Sequence, residues 1–251
     1  MNITLITKEK LGVISRRVLK YPLHISEKDY FLTVALKIIS ESSLKDRLLF
    51  KGGTALHHFY LPQYRFSEDL DFVSTGEVVT AKELEEVFEK YSFFNTKKIY
   101  TSKATVKIER LQYSGVLDQP NYLKIDVSNI NNVILKPQRL KYINAWDIDI
   151  NMNVMDIREI CAEKISATNG RIRYRDFYDL YLIVNELGIK VKDAQDILKQ
   201  KEFEKPVKLE SILTNWNIAK KEKLSDLTSI HIKKEIADPD MERFLKELKL
   251  N

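Results

Sequence analysis

Two short stretches of this chain decide its fold: residues 50–56 read FKGGTAL, and residues 65–72 read RFSEDLDF. The apolar run that ends at Phe50 predicts a buried strand, and the two glycines after it allow the backbone to approach a ligand closely. Residues 54–60 can form a helix whose free N–H groups favour an anion. The first stretch therefore predicts a turn that binds the phosphates of a nucleotide.

The second stretch places two carboxylates on one strand. Because side chains alternate between the faces of a strand, Asp69 and Asp71 point the same way, about 6–7 Å apart. Two ionised carboxylates at this separation repel each other by about 2–3 kcal/mol at an effective dielectric constant of roughly 20. Mg²⁺ would offset this repulsion, since it prefers a few carboxylates together with substrate phosphates. Alone, each motif is more often an ordinary turn or strand, but their order and proximity favour a functional site.

A third carboxylate follows on a second alternating strand, residues 122–127, where Asp126 points away from the apolar face. In a two-metal site the first two aspartates hold both metals, and the third binds the metal that activates the attacking hydroxyl. Asp126 is therefore the candidate general base and third metal ligand. Two Mg²⁺ ions are expected, with Mn²⁺ as an alternative. The competing interpretation of Asp126 is a solvated carboxylate paired with Lys124 or another neighbour.

These motifs, with two blocks further along, resemble the nucleotidyltransferase AbiEii/AbiGii toxin family, a MenT-like branch of the polymerase-β-type nucleotidyltransferases. The later blocks are EICAEK at residues 159–164 and RDFYDL at residues 175–180. The resemblance implies an α+β fold, with a polymerase-β-like mixed sheet and flanking helices followed by a helical C-terminal domain. We expect an α/β nucleotidyltransferase domain over residues 1–150 and a helical domain over residues 151–251 that completes the active-site cleft.

The resemblance also implies an activity. Family members are toxins of toxin–antitoxin or abortive-infection systems, and some transfer a nucleotide from an NTP to the 3′ end of tRNA. The expected partners are therefore an NTP, an RNA acceptor and a cognate antitoxin. Two alternatives stay open: a nucleotidyltransferase that modifies a protein hydroxyl, and a catalytically inactive nucleotide- or RNA-binding module of the same fold.

Site residues are expected in both halves of the chain. The candidate catalytic residues are Asp69, Asp71, Asp126, Lys164 and Asp179, of which the first three would bind metal. The candidate nucleotide-binding residues are Lys51, Gly52, Gly53, Thr54, Arg65, Ser67, Lys164, Arg175 and Asp176.

Lys164 lies in the apolar stripe of a predicted helix, so it must either be paired or point into a cleft. Beside a predicted phosphate site, a triphosphate is the favoured counter-charge, and a lysine that extends its head to water is the alternative. In the next helix, residues 177, 180, 181, 184 and 187 are predicted to form the buried face. Asp179 could instead form only an i, i+4 ion pair with Arg175.

Composition limits the remaining possibilities. The 251-residue chain is 44% hydrophobic and 31% charged, as is typical of a soluble globular protein. No apolar stretch approaches the roughly 18–20 residues of a membrane span, and no signal-peptide core is present, so a cytoplasmic protein is expected. A single cysteine, Cys161, excludes an intrachain disulfide. The four histidines lack zinc-ligand spacing, so carboxylates are the expected metal ligands.

The net charge of +5 and the pI near 9.0 favour a polyanionic partner. Cationic residues flank the predicted catalytic strands: Lys97, Lys98, Lys103, Lys107, Arg110, Lys136, Arg139 and Lys141. Arg171, Arg173 and Arg175 form a second basic group, with Tyr174 available for stacking. These residues predict contacts to RNA phosphates, and a solubilising surface is the alternative.

Periodicity predicts the other elements. Ser26 and Asp29 are expected to cap a helix, residues 81–91 to form another, and residues 97–113 and 121–128 to form strands. Beyond about residue 150 only helices are predicted, at 193–201, 209–219 and 240–248, with Asp238-Pro239 as a turn.

Overall fold

A mixed β-sheet is the central element of the computed structural model, which describes residues 3–201 and 206–250. The strands are β1 Leu48–Lys51, β2 Asp69–Ser74, β3 Phe94–Thr101, β4 Thr105–Tyr113, β5 Asn121–Ser128, β6 Gln138–Lys141 and β7 Asn151–Val154. Their order across the sheet is β3-β4-β5-β2-β1-β7-β6. The pairs β2–β5 and β1–β7 are parallel, and the remaining neighbours are antiparallel. The predicted α+β class with a mixed sheet is confirmed.

Helices precede the first strand and connect several of the others, and the C-terminal part of the chain is helical. They are α1 Lys8–Ile14, α2 Leu23–Ser40, α3 Gly52–Ala55, α4 Ala81–Glu89, α5 Ile157–Gly170, α6 Tyr174–Asn185, α7 Val191–Gln200, α8 Leu209–Ile230 and α9 Asp238–Glu247. Single π-helical stretches follow α1 and α3, at Ser15–Leu19 and Leu56–Tyr60. Within the described residues, no helix has both the length and the apolar character required to cross a membrane.

The chain divides into two compact units, and the division does not follow sequence order. The first unit comprises Met1–Phe59, Glu68–Asn131 and Gln138–Val154, and it contains the whole sheet with α1–α4. The second comprises Tyr60–Ser67, Asn132–Pro137 and Met155–Asn251, and it contains α5–α9. Two short segments that precede residue 150, 60–67 and 132–137, thus belong to the helical unit.

The apolar side chains of β5 and of the start of β2 lie on one face of the sheet. On β2 and β5 the fully buried Leu70 and Ile125 alternate with polar residues on the opposite face. Helix α2 covers the apolar face, where the ring of Phe31 stacks on Tyr113 with 4.1 Å between centroids. The other face of β2 and β5 is therefore left for polar side chains.

The core of the helical unit is built around α6, which packs against α5 and α8. Trp216 of α8 contacts Tyr174 and Phe177 of α6, with ring centroids 5.9 and 5.4 Å apart. The buried carboxylate of Glu159 accepts hydrogen bonds from the backbone N–H groups of residues 134 and 135 at 3.0 and 2.9 Å. These bonds hold segment 132–137 against α5.

The structure confirms the helix predicted at residues 81–91 and the strands predicted at 97–113 and 121–128, as α4, the β3–β4 hairpin and β5. The predicted capping of α2 is wrong. The helix begins at Leu23 after Pro22, and Ser26 and Asp29 lie buried inside it. The carboxylate of Asp29 accepts a 2.8 Å hydrogen bond from the indole of Trp146, a long-range partner that local sequence does not reveal.

The prediction of helices alone beyond residue 150 is also wrong, because residues 151–154 form β7 beside β1, with Val154 opposite Phe50. A four-residue strand is too short to show a clear period. Asp238-Pro239 is not a turn but the start of α9. Proline is tolerated in the first turn of a helix, where its missing N–H would have no intrahelical partner. Helix α8 extends beyond the predicted end at 219 to Ile230.

Candidate active site

The Gly-Gly turn connects β1 directly to α3. Gly52 has φ +79°, a conformation that side chains rarely adopt, and a Cβ at this position would lie 2.6 Å from Oδ2 of Asp71. The antiparallel register of β1 and β2 explains this approach, since Lys51 is directly opposite Asp71. The hydroxyl of Thr54 donates a 2.5 Å hydrogen bond to the carbonyl of Asp69. The turn is thus attached to the strand that carries both aspartates.

Three carboxylates share the polar face of the sheet. β2 and β5 run parallel in a register that pairs Asp71 with Asp126 and Asp69 with Lys124. Residues paired in this way have side chains on the same face, and all three aspartates are half-buried. The structure therefore brings Asp69, Asp71 and Asp126 together on adjacent strands, next to the Gly-Gly turn.

Asp126 has two neighbours on β4. Its carboxylate forms a 2.5 Å ion pair with Nζ of Lys107 and accepts a 2.9 Å hydrogen bond from the hydroxyl of Thr105. The hydrogen bond to Asp126 raises the pKa of Lys107, with further contributions from the charges of Asp126 and Asp71 that outweigh partial burial. Lys107 is therefore the ion partner of Asp126, while Lys124 lies opposite Asp69.

The sequence alone identifies Lys107 only as one of the basic residues near the predicted strands. Its position opposite both Asp126 and Tyr100 follows from the register of three strands. That register depends on a bulge between Ile108 and Leu111, which no sequence period indicates.

The carboxylates fit a metal ion only in part. Among residues 3–201 and 206–250, no three His, Cys, Asp or Glu side chains form a group that could hold a metal ion. Asp69, Asp71 and Asp126 nevertheless present oxygen ligands on one face, and oxygen is the ligand type that Mg²⁺ prefers. Mg²⁺ is commonly bound by one or two carboxylates together with substrate phosphates. The donor set thus fits a Mg²⁺ ion that binds together with a nucleotide.

The site residues predicted in the second unit form a buried ion network. Nζ of Lys164 lies 2.8 Å from a carboxylate oxygen of Asp176 and 2.8 Å from one of Asp179. Arg65 donates two hydrogen bonds of 2.7 Å each to Asp179, and Arg171 donates to both carboxylate oxygens of Asp176 at 2.7 and 3.1 Å. Both carboxylates are completely buried, and Lys164 is 7% exposed.

Mutual neutralisation keeps these groups charged. Burial lowers the pKa of Lys164, but the charges of Asp176 and Asp179 outweigh it and raise the pKa above its usual value. Burial alone would raise the pKa of Asp176, but the charges and hydrogen bonds of Lys164 and Arg171 outweigh it and lower this pKa to about 2. A buried charge requires such a partner, since desolvation alone would cost several kcal/mol. Lys164 is therefore paired inside the unit, and Asp179 forms its ion pairs with Arg65 and Lys164.

The predicted buried face of α6 is only partly correct. Phe177 and Leu180 are fully buried, but Tyr181 and Val184 are only half-buried. Leu182 and Ile183 are fully buried instead. The helix has neighbours on more than one side, so its periodicity does not define a single face.

The predicted site residues therefore form two groups, one in each unit. The first unit contains Lys51, Gly52, Gly53, Thr54, Asp69, Asp71 and Asp126. The second contains Arg65, Ser67, Lys164, Arg175, Asp176 and Asp179. Ser67 and Arg175 are half-buried, whereas the other four residues of the second group lie in the buried network.

Comparisons with known proteins agree with this architecture. The profile of a family described as nucleotidyl transferase AbiEii toxin, type IV TA system, matches residues 34–251. MenT4, a nucleotidyltransferase toxin from Mycobacterium tuberculosis H37Rv, is similar in structure, with a TM-score of 0.59 and 16% identity over 98% of this chain and 99% of that chain. JHP933 from Helicobacter pylori has a TM-score of 0.56 and 16% identity, over 90% and 94% of the two chains. The comparison with curated proteins gave no match.

Proposed function

The chain belongs to the AbiEii nucleotidyl transferase toxin family, and on this premise we propose that it transfers a nucleoside monophosphate from an NTP to the 3′-hydroxyl of a tRNA, in a Mg²⁺-dependent reaction. The family establishes the enzyme as a nucleotidyltransferase. We propose the metal dependence, the acceptor and the role of each residue. The match at residues 34–251 includes every residue of both groups.

One observation carries the proposal: the parallel register that pairs Asp71 with Asp126, beside a turn in which Gly52 closely approaches Asp71. Three acidic side chains on one half-buried face are unfavourable without cations. Lys107 supplies one cation, at Asp126. Bound Mg²⁺ would supply further positive charge at the carboxylates, and the phosphates of the nucleotide would find phosphate-binding backbone in the adjacent turn.

The proposed reaction is a displacement at the α-phosphate. The acceptor oxygen attacks the α-phosphorus, and the bond from this phosphorus to the oxygen that bridges to the β-phosphate breaks. Pyrophosphate leaves, and the hydroxyl proton passes to a base. Asp126 is the candidate base, and the cation of Lys107 holds its carboxylate in place before the proton arrives.

Asp69 and Asp71 would hold Mg²⁺, with Asp126 as the third candidate ligand; when bound, the ion would neutralise phosphate charge and polarise the reacting phosphate. The backbone of Gly52 and Gly53 would approach the phosphates, because neither residue has a side chain to obstruct them.

The prediction that Lys164 binds the triphosphate remains part of the proposal, with one requirement that the structure adds. Its ammonium group already contacts Asp176 and Asp179, both at 2.8 Å. A phosphate oxygen would have to replace one of these carboxylates or share the ammonium with them. Asp179 would remain neutralised during such an exchange, because Arg65 binds both of its oxygens.

The acceptor is tested by incubating the protein with Mg²⁺, total tRNA and each of four α-labelled NTPs, and comparing wild type with Asp69→Ala. Label on RNA that is lost in the variant supports the proposal and identifies the base. Label on the protein itself would instead favour a protein acceptor. Absence of label on both, with NTP binding intact, would count against the proposed acceptor.

The family is described as part of a type IV toxin–antitoxin system, so we propose a cognate antitoxin as the partner in the cell. Expression of the wild-type chain should then arrest growth, and Asp69→Ala or Asp71→Ala should abolish the arrest. Equal toxicity of wild type and both variants would show that transfer is not its cause.

A further inference from the structure

The polar face of the sheet that carries the three aspartates extends along β5 and across β4 to β3. On β5, Tyr122 and Lys124 alternate with fully buried leucine and isoleucine, so they share the face of Asp126. On β3, Tyr100 is paired with Lys107, which is itself paired with Asp126. A continuous row therefore leads from Tyr100 through Lys107 and Asp126 to Asp71.

Two aromatic rings are exposed on this face. Tyr100 is 50% exposed and Tyr122 is 37% exposed, and they are the only tyrosines among the exposed large hydrophobic residues of the described chain. The opposite face of the sheet can bury a tyrosine ring, since Tyr113 on that face is 0% exposed. Exposed rings on a strand surface are suited to stacking on a flat ligand.

Cations lie beside these rings. The guanidinium of Arg110 is 5.6 Å from the centroid of the Tyr122 ring, and Lys124 is exposed two residues further along β5. Lys98 is paired directly with Arg110 across β3 and β4, and its charge is shared with Glu109. Arg110 and Lys124 therefore provide positive charge next to an aromatic surface.

We propose that the face formed by Tyr100, Arg110, Tyr122 and Lys124 binds a single-stranded RNA segment of the acceptor. Unstacked bases would pack on the two tyrosine rings, and Arg110 and Lys124 would contact phosphates. This combination favours single strands over duplexes, because the bases of a duplex are stacked on one another and do not present free faces. The use of this segment as an acceptor rests on the proposed function; the binding itself does not.

The row of paired residues indicates the direction in which the bound RNA runs. Lys124 is directly opposite Asp69, and Tyr100 lies in the same row as Asp126 and Asp71. A single-stranded RNA segment that occupies this face therefore extends along the sheet towards the carboxylates. Its terminal hydroxyl is the group that the proposed reaction requires.

The test measures binding of a fluorescein-labelled, unstructured 12-nucleotide RNA by anisotropy. Tyr100→Ala and Tyr122→Ala should each weaken binding by about fivefold or more, the lower end of base stacking on an aromatic side chain. Tyr100→Phe and Tyr122→Phe retain the ring and should bind within about twofold of wild type. Arg110→Gln and Lys124→Gln should each reduce the slope of log affinity against log salt by about 0.7.

Lys82→Gln is the matched control for Lys124→Gln. Lys82 lies on α4 in the same unit, its side chain is 86% exposed, and it is not on the sheet face. This variant should keep the wild-type salt slope. The proposal is overturned if the alanine variants bind like wild type, or if a duplex of equal length binds as tightly as the single strand.

The surface and the proposed function fail in different ways. If wild type labels RNA and the alanine variants leave both the RNA affinity and the KM for RNA unchanged, the surface is wrong and the acceptor stands. If the alanine variants lose RNA affinity but wild type transfers no label to RNA, the surface stands and the proposed acceptor is wrong.

Discussion

Gly52 and Asp71 are so close that the Cβ of any other residue at position 52 would lie 2.6 Å from a carboxylate oxygen of Asp71. The glycine motif and the aspartate motif, which are almost twenty residues apart in sequence, therefore constrain each other directly. Substituting the glycine displaces either the turn or the carboxylate.

We expect Gly52→Ala to lose transfer activity and to lower the free energy of unfolding by about 1–3 kcal/mol, because alanine at φ +79° is strained and its methyl group collides with Asp71. Urea unfolding measures the loss of stability, and transfer of label from an α-labelled NTP measures the loss of activity. Gly170→Ala is the matched control, since a Cβ there meets no heavy atom within 4 Å. Equal stability and activity of Gly52→Ala and wild type would contradict the close approach.

Lys107 and a metal ion bound at Asp126 would compete for the same carboxylate. If Asp126 binds metal, Lys107→Met should strengthen Mg²⁺ binding about two- to fivefold, which corresponds to a partly exposed ion pair of about 0.5–1 kcal/mol. Isothermal titration with Mg²⁺ in the presence of a non-hydrolysable NTP measures this. Lys98→Met, which breaks the neighbouring pair with Glu109, should leave Mg²⁺ affinity unchanged. Unchanged or weaker Mg²⁺ binding in Lys107→Met would remove Asp126 from the ligand set.

Removing Lys164 leaves two buried carboxylates with less positive charge. We expect Lys164→Met to lower the free energy of unfolding by about 3–5 kcal/mol, the usual cost of breaking a buried ion pair from one side. Urea denaturation without nucleotide gives the value, and Lys82→Met, at an exposed position, is the control. If Lys164→Met were as stable as wild type but failed to bind NTP, the ion network would not depend on Lys164 and its main role would be with the triphosphate.

The lowered pKa of Asp176 predicts a specific acid sensitivity. The pKa falls from 3.8 to about 2 on folding, so the native state binds this proton more weakly than the unfolded state does. The stabilisation is therefore complete above about pH 4 and is lost as the pH falls towards 2, by about 2 kcal/mol in total.

Urea unfolding at pH 5 and at pH 2.5 should show a smaller loss of stability in Asp176→Asn than in wild type. A difference should still remain in the variant, because Arg47 and the N-terminal backbone of α4 also lower the pKa of Glu83 to about 2. Identical acid dependence in wild type and Asp176→Asn would show that Asp176 is not ionised through its buried partners.

Much of the local architecture could be predicted from the sequence. The strand before the glycines follows from its continuous apolar run. The alternation at Asp69 and Asp71 and the alternation around Asp126 follow from the period-2 pattern of half-buried strands. The order of the motifs indicated the family as well, which the match over residues 34–251 confirms. The helices predicted at residues 81–91 and 240–248 match α4 and α9 to within two residues at each end.

Two of the misses have a common physical cause. The local pattern predicts Asp29 as a helix cap, but it lies inside α2, where its carboxylate accepts a hydrogen bond from the indole of Trp146, 117 residues away. β7 escaped detection because its partner is β1, about 100 residues earlier, and four residues carry too little periodicity. In each case a long-range contact outweighed the local pattern.

The sequence by itself determined which chemical groups are present and on which face of each half-buried strand they lie, because the backbone geometry of a strand imposes a period of 2 residues. Only the tertiary structure decided which groups meet. The pairing of Asp71 with Asp126, the capture of Asp126 by Lys107, and the enclosure of Lys164 by Asp176 and Asp179 each depend on register or packing between separate elements. Burial of the apolar faces and neutralisation of buried charge determine these contacts, and both act between residues that are far apart in the sequence.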